Sequence, residues 1–363
     1  MLEHITEILN QLNLNYLLIN ILVFFLLYFL ISIIWRNNEN WLLKTINYSG
    51  LQRVHEGETP RIGGLIFYLT LFIFSLYVNN PKLANYLQLT ILCTLPMSLL
   101  MVREDIFHDV GYKLRLLCLG LTCMALIFFV IDDLPIVNHI ILISDFFQNP
   151  VFSFVFFVVC LITLANGFNF IDGMNGLLSL NLFGMLFCCI QLSYIVQDSY
   201  MGIPIVIYFL LTFCFFLLNF PFGKIFLGDF GAYLMAFLIG IWIINFFGNY
   251  PFISSWNAVL IFFYPIAEVL YSVTRKLYQK KSPFFPDREH LHLKIFDIIN
   301  SSLNRPKLSN NLTTLFLSFF WLSPPLLLPW VFDNQLLIFA MILMYFLIYI
   351  ILNFVIPPRI KHQ

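Results

Sequence analysis

Residues 16–35 read Tyr-Leu-Leu-Ile-Asn-Ile-Leu-Val-Phe-Phe-Leu-Leu-Tyr-Phe-Leu-Ile-Ser-Ile-Ile-Trp, a run with no charged side chain. A helix of about 20 such residues is roughly 30 Å long, the thickness of a bilayer's hydrocarbon core. Ten further apolar runs follow, at approximately 63–78, 86–102, 114–131, 151–165, 177–196, 203–219, 231–248, 256–273, 311–330 and 335–356. A helix satisfies its own backbone hydrogen bonds where water is absent, so each run reads as a membrane crossing. The expected fold is all-α, a polytopic integral membrane protein with about 11 transmembrane helices.

The rest of the chain agrees. Of 363 residues, 60% are hydrophobic and 10% charged, and the mean hydropathy is +0.87. Soluble domains carry about 25% charged and about 45–50% apolar residues, so a soluble globular protein, a disordered chain and a nucleic-acid binder are excluded. Nineteen basic side chains balance nineteen acidic ones, leaving no global field to attract an acidic partner. Run 16–35 follows Glu3 and Glu7 rather than a basic segment and lacks a small-residue cleavage site. It is expected to be a retained helix and not a signal peptide. The seven cysteines all lie in apolar runs with no CxxC or Cys/His spacing, and they read as small buried hydrophobes. The piece 136–143 is too short to cross and is expected in the interface.

Loop charge sets the orientation. With loops assigned alternately to two sides, 18 of the 19 Lys and Arg residues share one side, and Lys82 alone falls on the other. The crowded side is expected to be cytoplasmic, with the N-terminus outside and the C-terminus inside. The long connections 36–62 and 274–310 lie there too. No repeat or soluble extra domain interrupts the chain, so one membrane domain over 1–363 is expected, its motifs within about 50–295.

Four polar clusters share that face. Arg53 to Gly64 holds His55, Pro60, Arg61 and the pair Gly63-Gly64; it suits a tight turn with helix N-terminal amides open to an anion, or an ordinary helix cap. Arg103-Glu104-Asp105 is followed by His108, Asp109, Lys113 and Arg115. Carboxylates beside bases can handle a divalent cation and a phosphate together, although a solvated charged turn reads the same way. Asn166, Asn169, Asp172 and Asn175 crowd into ten residues between two apolar runs, which is costly unless they line a wet or ligand-filled cavity. Gly228-Asp229-Phe-Gly231 places one more carboxylate at a helix start, where it could equally serve as a cap. The long loop adds Asp287-Arg288-Glu289-His290-Leu-His292; without cysteines this reads as hydrogen-bond donors or proton carriers beside a phosphoryl group rather than a zinc site.

Asn-x-x-Asn-x-x-Asp-Gly-x-x-Gly-Leu at 166–177, followed by Gly-Asp-x-Gly at 228–231, resembles the polyprenyl-phosphate N-acetylhexosamine-1-phosphate transferases (glycosyltransferase family 4). Pro60–Gly64, the acidic pair at 104 and the His-x-His loop extend the resemblance over about residues 50–295. Glu104 stands where the family usually has Asp, as in a subgroup of surface-polysaccharide enzymes. Asn175 and Leu293 depart from the muramoyl-pentapeptide branch. The resemblance implies that undecaprenyl phosphate attacks the β-phosphorus of a UDP-N-acetylamino sugar, giving undecaprenyl-diphospho-sugar and UMP, in the bacterial cytoplasmic (inner) membrane. It further implies Mg2+, or Mn2+, with Asn169 and Asp229 as ligands. Asp105 or Glu104 is the acidic group near the lipid phosphate, with Asp105 the essential member, and His290 and His292 join the catalytic group as candidate phosphate contacts. Arg61, Lys113, Arg115 and Arg288 are candidate phosphate contacts, and Asn166, Asp172 and Asn175 candidate contacts to the nucleotide. A homodimer is left open.

The rival from another class is a secondary transporter, which places ionisable groups near the membrane midplane. Its one strong candidate is Glu268, seven residues before Arg275 and therefore about 10 Å below that end. That depth fits the floor of a cytoplasmic cleft better than a midplane relay, and a structural role, with Glu268 bonding into the backbone opened by Pro265, is an equal alternative.

Overall fold

The computed structural model describes residues 1–37, 59–135, 137, 146–283 and 287–356. Among the described residues the chain forms fifteen α-helices and a 3-10 turn, with no strand. In order they are α1 (Leu2–Leu12), α2 (Leu14–Asn37), α3 (Gly63–Tyr77), α4 (Pro81–Phe107), α5 (Tyr112–Val130), α6 (Pro150–Ile171), α7 (Leu177–Ile195) and α8 (Ser199–Asn219). There follow α9 (Gly228–Asn249), α10 (Asn257–Ile261), α11 (Phe263–Tyr278), α12 (Leu291–Leu303), α13 (Pro306–Trp321), α14 (Ser323–Leu327) with the 3-10 turn Leu328–Trp330, and α15 (Gln335–Val355). Arg53 to Gly57, most of 136–143, Pro286, Arg359 and Lys361 lie outside the described residues.

Each expected run falls on helix, but not always on one spanning helix. Among the described residues nine helices are long and apolar enough to cross a membrane, the stretch Pro306–Trp330 counting as one. Run 63–78 forms α3, only 15 residues long. Run 256–273 divides at Phe262 between α10 and α11. Pro265 has no N–H to give the carbonyl of Ile261, which removes one helical bond at this break. Elsewhere the helices outrun their apolar stretches because caps set their ends. Asn80 accepts from Leu83 N at 3.1 Å to open α4, and Asn149 accepts from Val151 N at 2.9 Å to open α6. Two helices, α1 and α12, have no counterpart among the apolar runs. In α1 only the stripe His4, Ile8 and Leu12 is buried, a spacing of four that is visible as one helical face but dilute in any hydropathy window.

The core is built on α9, which is almost wholly buried and packs against α3, α4, α5 and α6. Its small residues make this possible: a Cβ on Gly64 of α3 would collide with the backbone of Gly231. Close backbone approach at small residues is how helices pack in lipid, where apolar burial gives little drive. Peripheral helices show the reverse pattern. Phe29 of α2 and Leu343 and Phe354 of α15 are exposed, as faces toward hydrocarbon should be. With successive helices alternating in direction, the end of α4, the starts of α5, α7 and α9, and the end of α6 come together at one end of the bundle.

Candidate active site

The acidic half of that end is organised by backbone pairing. Phe226 N donates to Pro60 O at 2.9 Å, Gly63 N to Phe226 O at 2.9 Å and Gly64 N to Leu227 O at 2.8 Å. These bonds favour the helix-cap reading of this segment over an anion site: the Gly63 and Gly64 amides are used in holding two motifs together. What the pairing presents instead is Arg61, whose Nη1 lies 3.9 Å from Asp105 Oδ1 and 4.0 Å from Asp229 Oδ1.

Asp105 is 3% exposed. Its Oδ1 accepts from Asp229 N at 2.9 Å and its Oδ2 from Phe230 N at 3.2 Å. It therefore caps α9 from a different helix, satisfying N-terminal amides that α9 cannot satisfy itself. Gly228 sits against that carboxylate with φ of 81°, a conformation and a proximity that a side chain would not tolerate. Asp229 is left with its own carboxylate partly open, 3.2 Å from Arg115 Nη1. Arg115 Nη2 meets Glu104 Oε1 at 2.8 Å, and Glu104 Oε2 accepts from Val110 N at 2.8 Å. The glutamate thus reaches both α5 and the turn before it. Arg61, Glu104, Asp105, Arg115 and Asp229 form one connected group. Half-buried His108 belongs to its surroundings: burial, with Arg61 adding to it, brings its pKa down to about 4 against the pull of Asp229. Lys113 is exposed on the first turn of α5, outside this network, and Arg103 pairs with Asp109 at 2.8 Å on the surface.

The turn from α6 to α7 is the second part. Asn166 folds back on its own helix, Nδ2 donating to Ile162 O at 2.8 Å. Asn169 is half-buried in the last turn of α6. Asp172 follows at the C-cap, and its pKa is held well above the usual carboxylate range by burial and by Asp229 and Asp105, with Arg61 opposing. It therefore feels the same charges as the acidic group. Asn175 is tied down through its backbone, N donating to Asn310 Oδ1 at 2.9 Å and O accepting from Thr314 Oγ1 at 2.7 Å. Gly176 N donates to Asn219 Oδ1 at 2.6 Å. Sequence reasoning missed Asn219, Asn310 and Thr314; the available signal was a polar residue at the edge of an apolar run. Asn175 Oδ1 is buried without a hydrogen-bond partner, which leaves it an acceptor to offer.

The third part is the histidine loop. Arg275 pairs with Asp287 at 2.9 Å and Glu289 at 2.7 Å, and Lys276 with Asp287 at 3.3 Å, fastening the loop to the end of α11. Arg288 turns instead to Asp297 of α12 at 3.3 Å. The His290 and His292 rings lie nearly parallel, 5.7 Å apart. Phe170 packs on His290 with centroids 4.9 Å apart, and a Cβ on Gly173 would strike His292. The 166–177 turn is thus wedged between the acidic group and the histidines. Burial lowers the His292 pKa to about 4, against the pull of Glu268. Glu268 itself is 1% exposed and taken up by His290 and Tyr349.

Among the described residues no three His, Cys, Asp or Glu side chains form a ready-made metal cage. Magnesium needs none: it is held by one or two carboxylates together with waters and substrate phosphates. An all-oxygen set with the Asp229 carboxylate partly open and the Asn169 amide half-buried fits that mode of binding.

Fold and site define a polytopic membrane protein that gathers carboxylates, arginines and histidines from distant segments at one end of its bundle. Residues 87–247 match the family model described as glycosyl transferase family 4. A Thermotoga maritima protein named undecaprenyl-phosphate alpha-N-acetylglucosaminyl 1-phosphate transferase is 29% identical over 243 residues, 66% of this chain and 69% of that protein. Proteins of the same name from Yersinia pestis and Escherichia coli (strain K12) are 28% and 25% identical over 247 and 271 residues. Those matches cover 66% and 68% of this chain and the same shares of the relatives. Over its central helices the chain is therefore similar to glycosyl transferase family 4.

Proposed function

We propose that this protein transfers an N-acetylamino-sugar 1-phosphate from a UDP-sugar to undecaprenyl phosphate, initiating a surface polysaccharide or lipid-linked glycan. The observation that carries this is the meeting of Arg61, Glu104, Asp105, Arg115 and Asp229, brought from four separate segments into one ion-pair network. The names of the relatives supply the acceptor and the reaction class.

The chemistry is phosphoryl transfer, in which positioning and charge stabilisation do most of the work. An oxygen of the lipid phosphate forms a bond to the β-phosphorus of the UDP-sugar, and the bond from that phosphorus to the bridging oxygen breaks. UMP leaves with that oxygen. Two anions must approach each other, so cationic groups are needed close by. Arg61 and Arg115, now paired with carboxylates, are the groups that would turn toward phosphate oxygens. Asp229 and Asn169 would hold Mg2+, which when bound supplies compensation for the pyrophosphate charge. Asp105, with both oxygens on α9 amides, fixes where Asp229 stands. Asp172 feels the charges of this group from the α6–α7 turn, and it and Asn175 are assigned to the nucleotide. The basic asymmetry of the loops supports a cytoplasmic position for this end of the bundle, where UDP-sugars are available.

The transporter reading needs Glu268 as a mobile relay, and its two oxygens are already occupied within the protein. Incubating detergent-purified protein with undecaprenyl phosphate and a panel of UDP-sugars tests the proposal. Release of UMP that requires both substrates is expected; substrate uptake into vesicles without UMP release would favour transport.

A further inference from the structure

Glu268 is the one carboxylate within the apolar runs, and the proposed chemistry leaves it without a task. It lies on α11 with 1% exposure. Its Oε1 is 2.8 Å from His290 Nδ1 and accepts from Leu291 N at 3.4 Å, while Oε2 accepts from Tyr349 OH at 2.6 Å. Three elements, α11, the start of α12 and α15, converge on one carboxylate. A buried carboxylate is retained only where donors surround it, and each of these contacts can supply one.

The surroundings also settle which His290 nitrogen carries the proton. Leu291 N–H is an obligate donor, so Oε1 is an acceptor. A lone pair on Nδ1 facing that oxygen would set two acceptors 2.8 Å apart. The proton therefore belongs on Nδ1. Nε2 is then the free ring atom, 3.9 Å from Asp287 Oδ1, with Phe170 and the parallel His292 ring limiting its rotation. The loop is held in this register by Arg275 and Lys276 at the far end of α11.

We infer that Glu268 is a positioning residue: with Tyr349 behind it, it locks His290 in the Nδ1–H tautomer and leaves Nε2 as the proton-accepting atom beside the α6–α7 turn. Once Nε2 takes up a proton, the Glu268 carboxylate stabilises the imidazolium from the opposite side, in the manner of a carboxylate orienting a catalytic histidine. This inference rests on the proposed transferase reading only for its kinetic consequence.

Two measurements test it. In 15N-histidine-labelled protein at neutral pH, the resonance pair lost in His290→Asn should carry its proton on Nδ1; a proton on Nε2 instead would overturn the inference, whatever reaction the protein performs. In the UMP-release assay, Glu268→Gln preserves shape and removes the charge. It should lower kcat by about 10- to 100-fold, the usual cost of losing a histidine-orienting partner. The double variant Glu268→Gln/His290→Asn should be no slower than His290→Asn alone. Native-like turnover in Glu268→Gln, or losses that multiply in the double variant, would show that Glu268 does not act through His290. If native protein releases no UMP, the transferase reading fails while the tautomer measurement still decides this one.

Discussion

Replacing Asp105 by Asn separates positioning from proton transfer at the acidic end. The side chain is isosteric, but one oxygen becomes an NH2 group. Asp105 now accepts from Asp229 N at 2.9 Å and Phe230 N at 3.2 Å. An Asn can serve one of these amides and must point donors at the other. The variant loses one charge-assisted bond and leaves a buried N–H unpaired, a cost of about 1–3 kcal/mol. Part of that cost appears as melting temperature, since α9 is the core helix. Part appears as displacement of Asp229, whose carboxylate follows directly from that backbone. Thermal unfolding in a single detergent should therefore show a drop of several degrees, and kcat should fall by roughly 100-fold or more, the scale at which a lost general base would also act. A kcat loss of this size with unchanged melting temperature would refute the capping role and leave Asp105 as a base alone. Near-native turnover would remove it from the mechanism.

Glu104→Asp should cost less than Glu104→Gln in steady-state UMP release, because the shorter acid keeps its charge toward Arg115 while the amide gives it up. Asp229→Asn should lose most turnover yet remain folded by thermal scan, and EDTA should abolish UMP release until magnesium is restored; full activity in EDTA would exclude the proposed metal. His292 has a folded-state pKa lowered from 6.5 to about 4 by burial, so its neutral form is the one the fold favours. The stability it contributes is present above pH 6.5 and is lost as pH falls toward 4, so His292→Gln should show a shallower decline in melting temperature over that window than native protein. In a cysteine-free background, Cys at Ser282 should be shielded from an impermeant thiol reagent in whole cells, and Cys at Asn80 or Asn334 should be labelled.

The membrane class was legible because lipid demands uninterrupted apolar runs, and 16–35 alone meets that demand. The site motifs were legible as residue types: amides and carboxylates between apolar runs have no inexpensive structural explanation. Their partners were not. That Asp105 caps α9, or that the Gly63 and Gly64 amides are spent on Phe226 and Leu227, depends on segments more than a hundred residues apart meeting in space, and no local pattern encodes it. The division of run 256–273 at Phe262 was readable in principle, since Pro265 stands in the sequence, but hydropathy averages over it. Helix α1 escaped because one buried stripe among polar residues carries too little mean hydropathy to register, and α12 because its buried first half mixes His292 and Lys294 with the apolar residues. Glu268 was recognised as anomalous, and only the packing of α12 and α15 against it supplied the reason.

The central claim is that the bond broken lies between the two phosphates of the sugar nucleotide. Purified protein given undecaprenyl phosphate and a UDP-N-acetylamino sugar carrying 32P at the β-phosphorus should transfer the label into the lipid fraction, while label at the α-phosphorus should remain with UMP. Label at both positions staying in water-soluble nucleotide, in the presence of lipid acceptor and magnesium and with every sugar of the panel, would contradict the account.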